Sequence, residues 1–117
     1  MVRKIELHDS KIESIAAAGN RVDINFATLV TIELKDKFGF DFGNHLYKKG
    51  IITIHNPKYE KLPANDYLSD RKIVTENVTY ELIPIGLNLN EDCVLVLNQG
   101  AQTYLIFGSR IEIKVQN

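Results

Sequence analysis

The amino-acid sequence predicts an all-β fold, an antiparallel β-sandwich or barrel of about eight or nine strands with at most one short helix. Three observations carry this expectation. Apolar and polar residues alternate in one short run after another, the period of a half-buried strand. Turn-forming Gly, Asn, Asp and Pro punctuate those runs every ~8–12 residues. No stretch demands an amphipathic helix of ordinary length.

The centre of the fold is expected in residues 93–115. Residues 93–97 and 104–107 are apolar at successive positions, so each strand needs cover on both faces. Residues 111–115 alternate strictly and belong one step nearer solvent. Asn98, Gln99, Gly100 and Ala101 supply one tight turn, Gly108 and Ser109 the next. The three strands read as a consecutive meander.

The earlier elements follow in order. Ile5 and Leu7 alternate with Lys4, Glu6 and His8, a short strand that Asp9 and Ser10 break. Residues 11–18 admit two readings. Ser10 and Glu13 fit a helix capping box, with Ile12, Ile15 and Ala16 on one helical face. Alternatively, Gly19-Asn20 is a two-residue hairpin turn into the alternating strand of Val22, Ile24 and Phe26. In that register Ala18 faces Arg21, Ala17 faces Val22 and Ile15 faces Ile24. A bulge near Glu13 and Ser14 then sets Ile12, rather than Glu13, against Phe26. The hairpin is preferred, because the strand after the turn needs a partner.

Residues 28–34 continue as strand, with Val30, Ile32 and Leu34 inward and Thr31 and Glu33 outward. Lys35-Asp36-Lys37 turns the chain. Phe38, Phe40 and Phe42 then give a strand with an aromatic face. Gly43-Asn44 reads as a turn, residues 45–50 as a polar connection and residues 51–55 as a strand. Residues 56–71 hold Pro57 and Pro63 and form a long loop, or carry a short helix at 64–69. Tyr59, Leu62, Tyr67 and Leu68 are expected to pin it. A short strand at 72–75 precedes a longer one through Val78, Tyr80 and Leu82, and another through Ile85, Leu87 and Leu89, with Pro84 between.

The totals bound the function. A chain of 117 residues makes one domain, residues 1–117. Fourteen basic and 15 acidic residues give a net charge of -1, without the concentrated cationic footprint that nucleic acid requires. Apolar runs stop at about five residues, against the ~20 needed to cross a bilayer. One cysteine, charged residues near the N-terminus and no apolar leader set the expectation of a cytoplasmic protein.

Catalytic signatures are missing. There is no nucleophile elbow, phosphate-binding loop or dinucleotide fingerprint. His8, His45 and His55 lack metal-ligand spacing, so neither metal nor cofactor is expected. Cys93 follows Glu91 and Asp92, the wrong charge to activate a thiol, and reads as packing. The candidate binding residues are Tyr47, Tyr59, Tyr67, Lys48, Lys61 and Arg71, in the polar connections between residues 44 and 71. Tyrosine and arginine are enriched where proteins bind.

Leu7-His8-Asp9-Ser10-Lys11-Ile12, followed by Ile15 and residues 19–26, resembles the opening hairpin of small uncharacterised bacterial β proteins, some of them immunity proteins of toxin systems. The resemblance covers residues 7–26. It implies a hairpin with His8-Asp9 at a structural corner, and a partner protein; it supplies no catalytic residue. The expectation is therefore a non-catalytic, bacterial, immunity-like protein-interaction module, with homo-oligomers allowed. Two alternatives stand beside it. One is a barrel or cupin-like protein holding a small molecule or metal, its pocket lined by Phe38, Phe40, Phe42 and Tyr104. The other is an oligomeric structural or phage-related component that pairs through an exposed edge at residues 111–115.

Overall fold

The described residues, 2–34 and 42–116 of a computed structural model, contain ten strands and no helix. They are β1 (Val2–Ala18), β2 (Arg21–Leu34), β3 (Phe42–His55), β4 (Asp70–Thr75), β5 (Thr79–Tyr80), β6 (Ile83–Pro84), β7 (Asn88–Leu89), β8 (Cys93–Gln99), β9 (Gln102–Gly108) and β10 (Arg110–Val115). They form two antiparallel sheets, a sandwich. The six-stranded sheet runs β6-β1-β2-β3-β10-β7 and the four-stranded sheet runs β5-β4-β8-β9.

The hairpin reading of residues 11–18 holds. Gly19, at φ 59°, and Asn20 form the turn, and Ala18, Ala17 and Ile15 face Arg21, Val22 and Ile24. The register shifts between Ile12 and Ser14, which sets Ile12 against Phe26 and leaves Glu13 outside the ladder. Burial decides this. Ile12, Ile24 and Phe26 are all in the core, and an unbulged register would have driven a carboxylate into it. Asp9 and Ser10 do not end the strand. They lie in a larger irregularity, between the pairs Glu6–Val30 and Lys11–Thr28, through which β1 continues. Ser10 is buried there, and its hydroxyl accepts the Val30 N–H at 3.2 Å.

Other expectations needed correction. Gly43-Asn44 is not a turn and residues 45–50 are not a loose connection: both lie inside β3, which pairs with β2 from Leu34–Phe42 to Arg21–His55. Backbone groups that look polar in sequence are satisfied by a long neighbouring strand. Thr31 is buried rather than outward, and Leu29 beside it is fully buried, because β2 slips register against β3 between Phe26 and Leu29. Phe38 and Phe40 lie outside the described residues.

The long connection is confirmed at 56–69, without a helix. It is fastened by main-chain bonds: Ile12 N–H to Asp66 O at 3.0 Å, Leu68 N–H to Ser10 O at 2.9 Å and Ser69 N–H to Asn98 O at 2.8 Å. Gln99 clamps Ala64 through both amide atoms, at 2.9 and 2.8 Å. Leu68 is buried and Leu62 half-buried, as expected, whereas Tyr59 and Tyr67 stay exposed, Tyr67 bridging to Lys11 of β1. The strands expected through 78–82 and 85–89 shrink to two-residue pieces. Gly86 at φ 79° turns the chain there, and Val78 and Ile85 face solvent.

The largest correction concerns residues 93–115. β8 and β9 form a hairpin, but β10 leaves it, crossing at Gly108-Ser109 to pair with β3 and β7 in the other sheet. Gly108 permits the crossing, since a Cβ there would overlap Ile54 Cγ2 and stand 3.1 Å from His55 O. β10 is consequently no exposed edge. Its Ile111 and Ile113 join Val22, Ile24, Phe26, Ile52 and Ile54 on one side of the core, against Ile73, Cys93, Leu95, Leu97 and Ile106 from the other sheet.

Candidate functional site

The two sheets present opposite outer faces to their surroundings. On the six-stranded sheet two adjacent outward rows of β2, β3 and β10 are polar. Arg21, His55 and Arg110 form one cross-strand row, and Asp23, Thr53 and Glu112 the next. They are mutually satisfied: Thr53 Oγ1 donates to Asp23 at 2.7 Å, Arg21 pairs with Asp23 at 3.2 Å, and Glu112 takes His55 Nε2 at 2.8 Å and Arg110 at 2.9 Å. The hydrogen bond from His55 holds the Glu112 carboxyl below its usual range; partial burial opposes this, and the Arg110 charge adds to it.

The four-stranded sheet turns apolar residues outward instead. Ile73, Leu95, Leu97 and Ile106 take its inner face. Their neighbours, by strand alternation, take the outer one. Val74, Val94 and Phe107 form one row; Lys72, Val96 and Leu105 form the next. Phe107 is 47% exposed and Leu105 44%. The Val94–Phe107 and Val96–Leu105 pairs are of the non-hydrogen-bonded kind, in which opposed side chains lie closest. Both strands are apolar on two faces, as the sequence implied, but the second face of this sheet has no cover among the described residues.

Two concavities flank Phe107. The larger, about 620 Å³, lies over the outer row and is bounded by Val74, Val94, Phe107, Thr75, Glu76 and Asp92. Its floor includes Cys93, whose thiol burial, and then Asp92 and Glu91, push above its ordinary pKa. The smaller, about 460 Å³, opens between Tyr59, Glu60 and Lys61 of the long connection and Thr103, Tyr104 and Leu105 of β9. Lys61 Nζ sits 5.6 Å over the Tyr104 ring and bonds Gln102 Oε1 at 3.3 Å. Lys58 divides the two hollows. Its N–H and C=O both pair with Phe107, each at 2.9 Å.

The sequence-predicted residues do not converge. Tyr59 and Lys61 line the smaller hollow. Tyr67 lies in the long connection beside β1, its ring 5.4 Å from Lys11 Nζ. Tyr47, 70% exposed, and Lys48 lie in β3 and line neither hollow. Arg71 is only 8% exposed, on the inner face of β4, and pairs with Asp70 at 3.2 Å. Sequence reasoning missed Val74, Val94, Val96, Leu105 and Phe107. The signal was present as apolar residues on both faces of β8 and β9, but it was assigned to burial. Tyr104 lies beside the surface hollow rather than in an internal barrel pocket. Among the described residues no three His, Cys, Asp or Glu side chains gather as metal ligands. No family model matches the sequence, and no curated protein or solved structure matches it significantly.

Proposed function

We propose that this chain is a non-catalytic protein-interaction module that docks a partner protein on the outer face of its four-stranded sheet. The supporting observation is the contrast between the two outer faces. One is a closed polar network, and the other is an apolar stripe of Val74, Val94, Val96, Leu105 and Phe107 flanked by two hollows. Apolar side chains grouped on an open sheet face, rimmed by charge, are the pattern of an interaction site. In its narrower form the module is a bacterial, cytoplasmic, immunity-like protein that neutralises a toxin by covering it; the resemblance of residues 7–26 supports that form.

The test is affinity capture from a lysate of the source organism with the wild-type chain and with Leu105→Asp/Phe107→Asp, melting curves serving as the folding control. A partner retained by the wild type and lost by the folded double variant supports the proposal. Equal capture by both removes this face from the account. For the narrower form, co-production of the chain with its captured partner should abolish that partner's toxicity.

A second reading, a small-molecule binder, draws on the 620 Å³ concavity, whose size is that of a ligand site. It predicts a ligand that raises the melting temperature of the wild type and not of Val94→Asp.

A further inference from the structure

We infer that the partner completes the four-stranded sheet by laying an extended segment of alternating apolar and acidic residues along the open edge of β9. This rests on the reading of that face as a protein-docking surface.

The backbone geometry points to it. β9 is the terminal strand of its sheet. The N–H and C=O of Phe107 reach away from β8 to Lys58. Strand alternation sends the same groups of Leu105 and Thr103 in the same direction. Among the described residues only Lys58 bridges to β9 on that side, and the 460 Å³ hollow lies between Tyr59, Glu60 and Lys61 and Thr103, Tyr104 and Leu105. The edge therefore pairs with an extended segment at one position and offers two more donor–acceptor pairs beyond it. Added strands gain affinity from such main-chain groups and specificity from side-chain pockets beside them. Leu105 and Phe107 on the outer face, and Tyr59 and Tyr104 in the hollow, supply the apolar contacts.

Charge selects the occupant. The hollow beside the edge carries Lys58 and Lys61 against Glu60, while Glu76 and Asp92 border the larger concavity. An edge-to-edge pair of two copies would bring these lysines together, whereas acidic residues on an incoming strand would meet them. Native edges often carry lysine to discourage self-pairing.

The probes are two fluorescent seven-residue peptides, one alternating valine with glutamate and one alternating valine with lysine. Titration is followed by anisotropy, with amide exchange read at Thr103 and Leu105. The glutamate peptide should bind at least about tenfold more tightly than the lysine peptide, and should slow exchange at both amides. Lys58→Glu/Lys61→Glu should weaken it about three- to tenfold at low salt, the range expected for two exposed ion pairs. Equal binding of the two peptides, no binding of either, or unchanged exchange at Thr103 and Leu105 overturns the inference. A wild-type dimer in sedimentation with those amides already protected also overturns it, assigning the edge to a second copy. If the peptide test fails while Leu105→Asp/Phe107→Asp still abolishes partner capture, the docking face stands and only the strand-addition mode is lost.

Discussion

Leu105 and Ile106 are neighbours on β9, and their replacement by alanine should separate sharply. The sequence alone places both in a doubly covered strand, where each change would cost roughly 2–5 kcal/mol. In the structure Ile106 is fully buried and Leu105 is 44% exposed. Ile106→Ala removes three buried carbons at about 0.8 kcal/mol each, about 2.4 kcal/mol of transfer energy. The space left among Leu95, Ile73 and their neighbours adds a cavity term, for a total of about 3–4 kcal/mol. Leu105→Ala removes the same number of carbons, but about half their surface already meets water and no closed cavity forms, so about 1 kcal/mol is expected. Urea unfolding followed by circular dichroism reads the difference as a shift in midpoint at constant slope. At about 4 °C per kcal/mol, melting temperatures should fall by about 12–16 °C and about 4 °C respectively. Equal losses would mean that the outer face of the four-stranded sheet is covered, and the argument for a docking surface would fail with it.

Three further outcomes follow from the packing and charge. Gly50→Ala should cost about 1–3 kcal/mol in denaturant melts, since a Cβ there overlaps Leu29 Cδ1 and stands 2.8 Å from Lys114 O; an unchanged midpoint would show that Leu29 can yield. Glu112→Gln should destabilise at pH 7, and its difference from the wild type should shrink as pH falls through the depressed folded value. The carboxyl is depressed in the folded state, so its contribution is present above the ordinary carboxylate pKa and is lost as pH falls through the folded value; a pH-independent difference in urea midpoints would contradict the His55 pairing. Cys93, buried and raised in pKa, should react with an alkylating reagent at pH 7 far more slowly than the chain in denaturant; comparable rates by mass spectrometry would place the thiol at the surface.

Much of the candidate site was hidden from sequence for a specific reason. Tyr59 and Lys61 were legible because a proline-bearing connection of that length lies on the surface. Leu105 and Phe107 were not, because a strand apolar on both faces looks the same whether a second layer or a partner covers it. Arg71 failed the other way. Its residue type and its place in the polar connection suggested a surface contact, yet alternation in β4 turns it to the inner face, where it still reaches the exposed Asp70.

By itself the sequence determined what is local. It set the all-β class, the Gly19-Asn20 turn, the register of the first hairpin and the bulge at Glu13, because period-two patterning and turn chemistry act over a few residues. Only the tertiary structure decided which sheet each strand joined. β10 follows β9 after a single residue, yet its ladder partners lie in β3 and β7. Ladder partners this distant, 55 residues or more away in β3, leave no mark in the strand's own alternation. That departure of β10 is what leaves β9 at an edge, with its apolar outer side chains and its unextended ladder turned outward.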